Sequence, residues 1–219
     1  MIPEIKKECI KPLLDTKYIK VADLQYAEGC HYFNATRRSF EDMAAIKSAD
    51  EFSAMVPDAV TAAVILISSG EEPRLLLAYE YRYPAGRFLL SPPAGLIDEE
   101  DFDAPEGPVL NAAGREIFQE TGLKLRPSDR LFEVNPLLFS TPGITDECNA
   151  IACAVVENAD LSSLTQQGAV GTECFGGFEL VTEAQARDLI KQGRDKNGIF
   201  YSAYTWIVLM YFVSGMWKQ

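Results

Sequence analysis

Histidine is almost missing from this sequence; His31 is the only one. A Ser-His-Asp or Cys-His triad needs an imidazole held in the core, so nucleophilic acyl chemistry of that design has little room here. The same shortage argues against zinc. The five cysteines (Cys9, Cys30, Cys148, Cys153, Cys174) form no CxxC pair, and His31 is the sole imidazole beside them. Their odd number, with no signal-peptide pattern ahead of them, leads us to expect reduced thiols and a cytoplasmic location. Basic clusters are lacking too, none being longer than Arg37-Arg38, and the net charge is −12 from 32 acidic and 20 basic residues. Phosphate neutralisation needs a basic stripe, so no nucleic-acid partner is expected. Internal repeats and low-complexity segments are absent. The long apolar run from Ile199 to Trp217 has about the length of a bilayer span. It is interrupted by Ser202, Tyr204, Thr205 and Ser214 and closes a strongly acidic chain, so it reads as a C-terminal helix packed on a sheet, with no membrane partner.

What is present suffices for a sizeable core: 219 residues, of which 47% are hydrophobic and 11% aromatic. Strands are expected on either side of a turn at Glu28-Gly29, between about Tyr18 and Arg38. Ala59 to Ile67 reads as a buried strand, and Leu75 to Arg82 as its hairpin partner. Arg87 to Leu90 runs into Pro92-Pro93, which no central strand would tolerate, so a loop opens there. Further strands are expected near Arg130–Phe139 and Ala150–Val156, and a helix over Glu183–Gln192 capped by Thr182. Strands mixed with a few helices and no βαβ regularity predict an α+β fold, a mixed sheet between helices, with a small N-terminal β subdomain.

The chemistry is concentrated between residues 94 and 123. Ala94-Gly95-Leu96-Ile97-Asp98 is followed by an acidic stretch and then by Ala112-Ala113-Gly114-Arg115-Glu116-Ile117-Phe118-Gln119-Glu120-Thr121-Gly122-Leu123. The second part reads as a helix with Ala112, Ala113 and Ile117 on one face and Gly122 as its C-cap. Glu116 and Glu120 then project from the same side, where like charges repel unless a cation lies between them. Carboxylates with backbone carbonyls nearby are hard oxygen ligands, suited to Mg2+ or Mn2+.

Arg115 to Leu123, with Gly95 at the head of the loop, resembles the signature of the Nudix hydrolases, which use divalent metal to cleave nucleoside diphosphates linked to another moiety. Two departures stand out. The acidic position counted from Gly95 falls on Asp101, but Arg115 arrives six residues late, so the loop carries an insertion, Phe102 to Pro108, and Asp101 or a neighbour fills the acidic slot. Gln119 stands where the family usually has the first glutamate of its pair. The resemblance implies metal ligation by Ala94, Glu116 and Glu120, with Arg115 orienting the metal-binding glutamate.

The flanks resemble the ADP-ribose pyrophosphatase branch. Glu80 to Asp98 matches the stretch ahead of the box, with Ser91 in place of a common glutamate, and Ser140 to Glu147 matches a downstream proline motif. The branch implies Mg2+-dependent hydrolysis of ADP-ribose to AMP and ribose 5-phosphate by a metal-activated water. The alternatives are another nucleotide sugar (GDP-mannose, ADP-glucose) or a sensing domain without turnover. Arg82, between Tyr81 and Tyr83, suits phosphate. Tyr32 or Phe33, near Arg37, lies where the branch stacks adenine, and Pro142 and Gly143 are further expected substrate contacts. The branch takes its general base from a loop, here Gly168 to Gly177, so Glu173 is the expected base and Glu179 the alternative. Residues 1–55 are expected to serve dimerisation and substrate stacking, residues 56–219 catalysis, in a homodimer.

Overall fold

The computed structural model describes residues 2–219, which divide into two compact units. The first comprises the chain up to Asp58 together with Pro136–Asn149, and the second comprises Ala59–Asn135 and Ala150–Gln219.

In the first unit β1 (Ile10–Asp15), β2 (Lys20–Ala27) and β3 (Cys30–Thr36) form an antiparallel meander, with Gly29 at φ +68 supplying the left-handed residue of the β2–β3 turn. β1 was not legible in the sequence, because Pro12 and the exposed Leu13 and Leu14 break any alternation. Only Ile10, Ala22, Leu24 and Met43 make up its buried core. A short helix, α1 (Ala49–Ser53), is fixed by a capping box between Ser48 and Glu51. The returning segment is tied to the meander. Asp146 accepts from the Ala44 amide at 3.0 Å, and the Ala35 amide donates to the Ile144 carbonyl at 2.9 Å.

The second unit is built on β4 (Ala59–Ile67), β5 (Arg74–Arg82), β6 (Arg87–Ser91), β7 (Ala94–Leu96), β8 (Arg130–Phe139), β9 (Cys148–Glu157) and β10 (Phe175–Val181). The sheet order is β10-β5-β4-β9-β8, with β6 on β5 and β7 on β4. Strand alternation separates its two faces. Ala62, Val64, Leu66 and Leu76 meet Ile117 of α2 (Pro108–Thr121) on one side. Ala63, Ile65, Leu75 and Leu77 meet α3 (Glu183–Gln192) and α4 (Ala203–Ser214) on the other. The architecture is the α+β arrangement expected, a sheet between helices. Thr182 caps α3 as expected, through a capping box with Gln185.

Two features position the site. β4 and β5 are hydrogen-bonded from Val64 to Leu66 and then part: β6 continues along β5 while β7 continues along β4. The segment Ser91 to Ala94 crosses from one branch of this fork to the other, and its two prolines fall where no ladder amide is required. The apolar C-terminal run is cut short. α4 has 12 residues, stops at Gly215 with φ +71, and buries Val208, Leu209 and Phe212 against the sheet. Among the described residues no helix is long and apolar enough to cross a membrane.

Candidate active site

The site forms where α2 lies against the fork. Gly107, at φ +87, and Pro108 begin the helix, and Gly122, at φ +76, ends it. Its buried face carries Ala112, Ala113 and Ile117, and with them Glu116 and Glu120, which are only 5% and 2% exposed. Gly95 of β7 explains the close fit. A Cβ there would stand 1.9 Å from Glu116 Oε1, so only a residue without a side chain lets β7 lie on that carboxylate. The adjacent Ala94 amide donates to Glu120 Oε2 at 3.3 Å.

Arg115 holds the loop to the helix rather than facing outward. Its Nη1 donates to Glu116 Oε1 at 2.6 Å, and its Nη2 to the Leu96 carbonyl and to Asp101 Oδ2, both at 2.8 Å. Asp101 is 1% exposed and also accepts from Asn111 Nδ2 and from the Asp98 amide. Burial, the largest influence, works against its ionisation, but Arg115, the Asp98 amide and Asn111 together hold the carboxyl below its ordinary range, while Arg115 is pushed upward in turn. Asp101 is thus the buried acidic partner of Arg115, and Asp98, largely exposed, lies 3.4 Å from the same guanidinium. The insertion lies after Asp101, with Phe102 exposed.

The Gly168–Gly177 segment is anchored at several points. A Cβ on Gly168 would stand 2.3 Å from the Gln119 carbonyl oxygen, the Tyr81 amide donates to the Cys174 carbonyl, and Tyr83 donates its hydroxyl to the Thr172 carbonyl. Glu173 accepts from the Val170 amide at 2.8 Å. The last three residues of the expected loop, from Phe175, belong to β10. Glu179 lies on that strand opposite Leu77, on the α3–α4 side of the sheet, and is ion-paired with Lys196. That places it on the sheet face away from Glu116 and Glu120.

Glu80 was missed by sequence reasoning. It alternates with Leu76 and Ala78 on the α2 side of β5, is 8% exposed, and pairs with Arg82 at 2.5 Å. Its place inside an aromatic strand hid it. Around Glu120 the charges accumulate. Burial first, then the carboxylates of Glu80, Glu116 and Glu173, push its carboxyl up to about 9, with the Ala94 amide only partly offsetting them. Burial likewise raises Glu116 and Glu80 against the pull of Arg115 and Arg82. The structure thus brings together Arg82, Ala94, Arg115, Glu116, Glu120 and Glu173 in the second unit. Tyr32, Arg37, Pro142 and Gly143 gather in the first, where Tyr32 donates to the Gly143 carbonyl at 2.8 Å and Arg37 pairs with Glu147.

Among the described residues no group of three or more His, Cys, Asp or Glu side chains is set to hold a metal ion as it stands. The donors nevertheless fit a hard divalent cation. They are carboxylate oxygens, and Glu120 is nearly inaccessible and has no cationic partner among the described residues.

No family model matches the chain. Curated relatives do: Nudix hydrolase 14, chloroplastic, of Arabidopsis thaliana is 31% identical over 39% of this chain and 28% of its own length. The ADP-ribose pyrophosphatase of Saccharomyces cerevisiae is 32% identical over 45% of this chain and 37% of its own length, and putative nudix hydrolase 2 of Caenorhabditis elegans is 35% identical over 39% and 33%. The matches span about a third of those relatives. A solved structure of a C. elegans Ap4A hydrolase binary complex aligns with a TM-score of 0.48 at 15% identity, covering 74% of this chain and 99% of that one.

The raised carboxyl of Glu120 has a consequence for stability. Its pKa is about 9 in the folded state against an ordinary 4.5, so the folded form holds this proton more tightly than the unfolded chain. The resulting stabilisation is complete below about pH 4.5 and is lost as the pH rises towards 9. In chelator, the melting temperature is expected to fall between those limits, and Glu120→Gln should flatten the decline. An equally steep decline in the variant would contradict the assignment.

Proposed function

We propose that this chain, similar to the Nudix hydrolases in its box and flanks, hydrolyses the diphosphate bond of a nucleoside diphosphate sugar, with ADP-ribose giving AMP and ribose 5-phosphate. The observation that carries the reading is the burial of Glu116 and Glu120 side by side on α2, with Gly95 shaped to admit one and the Ala94 amide on the other. A buried pair of like charges has little purpose in stability and much at a cation site. The yeast relative's name supports ADP-ribose as the first substrate to test.

Glu116, Glu120 and the Ala94 carbonyl would hold Mg2+ or Mn2+. Bound there, the cation supplies water activation and neutralises charge on the phosphoryl oxygens. The remaining work falls to the chain's own groups. Arg82, 45% exposed beside Tyr81 and Tyr83, offers its guanidinium to a phosphate. Arg115 fixes the Glu116 carboxylate and the Leu96 carbonyl. Glu173 accepts the proton of the attacking water as the water oxygen bonds to phosphorus. The bond from that phosphorus to the bridging oxygen breaks, and each product leaves with one phosphate.

With Mg2+ and a panel of nucleotide sugars, turnover of ADP-ribose is expected to exceed that of GDP-mannose and ADP-glucose, read as phosphate released by added phosphatase. Glu120→Gln should reduce kcat by at least about a hundredfold, the scale of losing one major electrostatic contribution to the transition state. Glu173→Gln should lower kcat strongly with substrate affinity kept. Wild-type rates in both variants would place the chemistry elsewhere, and binding of every sugar without turnover would favour a sensor.

The reading extends to a homodimer formed through the N-terminal unit. Support comes from Leu13, Leu14 and Phe33, which leave large apolar surfaces exposed on a meander with a very small core. Light scattering at micromolar concentration should give twice the chain mass, and a monomer that still turns over substrate would refute the dimer.

A further inference from the structure

Strand alternation puts Glu80 on the face of β5 that meets α2, in line with Leu76 and Ala78. Across the ladder its partners are Leu89 of β6 and Phe175 of β10, neither of which can hydrogen-bond a carboxylate through its side chain. Two residue pairs along, on the same face, Ser91 stands opposite Ala78 and is 4% exposed. The Ser91 hydroxyl donates to the Leu89 carbonyl at 3.4 Å and brings no charge. Among the described residues the one ion-pair partner of Glu80 is Arg82, whose half-exposed guanidinium takes one of its two oxygens. A carboxylate buried this deeply on a strand, with a single exposed partner, costs stability unless something else uses it.

We propose that Glu80 is a fourth carboxylate of the cation–diphosphate site, presented from β5 towards Glu116 and Glu120, and that it supplies the charge that Ser91 on the neighbouring strand does not. The proposal rests on the reading of α2 as a divalent-cation site and deepens it. Glu80 and Glu116 both push the Glu120 carboxyl upward, and Glu116 pushes up that of Glu80, in agreement with the placement. In this arrangement Glu80 has two tasks. Without substrate it pairs with Arg82, and when the guanidinium turns to a phosphate the carboxylate is released towards the cation. Cation and diphosphate therefore bind with mutual reinforcement, since each draws one partner of the Glu80–Arg82 pair. Ser91 and Glu80 are diagonal neighbours across two strands, a separation that a glutamate side chain at 91 would cover.

Mn2+ binding to the full chain, followed by electron paramagnetic resonance, tests this without recourse to turnover. Glu80→Gln is expected to weaken Mn2+ at least about tenfold, in the range seen when a group supporting a metal site is removed. The double variant Glu80→Gln/Ser91→Glu should recover most of that affinity. Glu120→Gln, measured alongside, must also weaken Mn2+. Wild-type Mn2+ affinity in Glu80→Gln together with a loss in Glu120→Gln overturns the proposal while leaving the cation site intact. Wild-type affinity in both removes the cation site and the proposal with it. A role confined to holding Arg82 would show as a raised KM with unchanged Mn2+ affinity and no rescue by Ser91→Glu, which also overturns it. Should Glu80→Gln fail to fold, Glu80→Asp keeps the charge and shortens its reach. Weakened Mn2+ binding in that variant supports the proposal, and unchanged binding overturns it.

Discussion

Glu120 sits where an ionised carboxyl is least comfortable: almost wholly buried, facing three other carboxylates, and relieved by a single backbone amide. Removing a charge from water is costly, and adding like charges around it multiplies the cost. A carboxyl placed there either keeps its proton or needs a cation from outside the protein's own side chains. Under the proposed function a divalent cation would meet that need through hard oxygen donors already in place, and a diphosphate would complete the charge count. Much of the second unit can be understood as the scaffold that makes this crowding possible.

The scaffold has three parts. β4 and β5 separate beyond their shared ladder, the proline-bearing segment from Ser91 to Ala94 crosses between the two branches, and the α2 carboxylates meet Ala94 and Gly95 on β7. Gly95 brings β7 up to Glu116 at a distance no side chain would allow. The Arg115–Asp101 pair pins the acidic loop to the helix. Under the proposed function the net charge of −12 would be no obstacle to an anionic substrate, because a cation held at Glu116 and Glu120, with Arg82, would supply the attraction locally.

Helix and strand periodicity made much of this legible in advance. The α2 face, the β4–β5 hairpin, the caps at Thr182 and Gly122 and the C-terminal helix all follow from local pattern. What escaped was non-local. Glu80 looks unremarkable inside the run Tyr79-Glu80-Tyr81-Arg82, since its significance depends on which sheet face meets α2. Spacing from Gly95 pointed to Asp101 but the late Arg115 left a neighbour open, and the burial of Asp101 against Arg115 is visible only in the fold. Glu179 looked like a loop residue until Phe175–Val181 proved to be a strand pairing with β5, which turns its side chain to the opposite face.

Proton release on metal binding tests the central claim most directly. If Glu120 is protonated in the metal-free fold near neutral pH, a cation that takes its carboxylate must expel that proton. Calorimetric titration of Mg2+ or Mn2+ at pH 7.5, in two buffers of different ionisation enthalpy, reads the number released. The account predicts about one proton per chain and its loss in Glu120→Gln. Cation binding with no buffer dependence in the wild-type protein would contradict it.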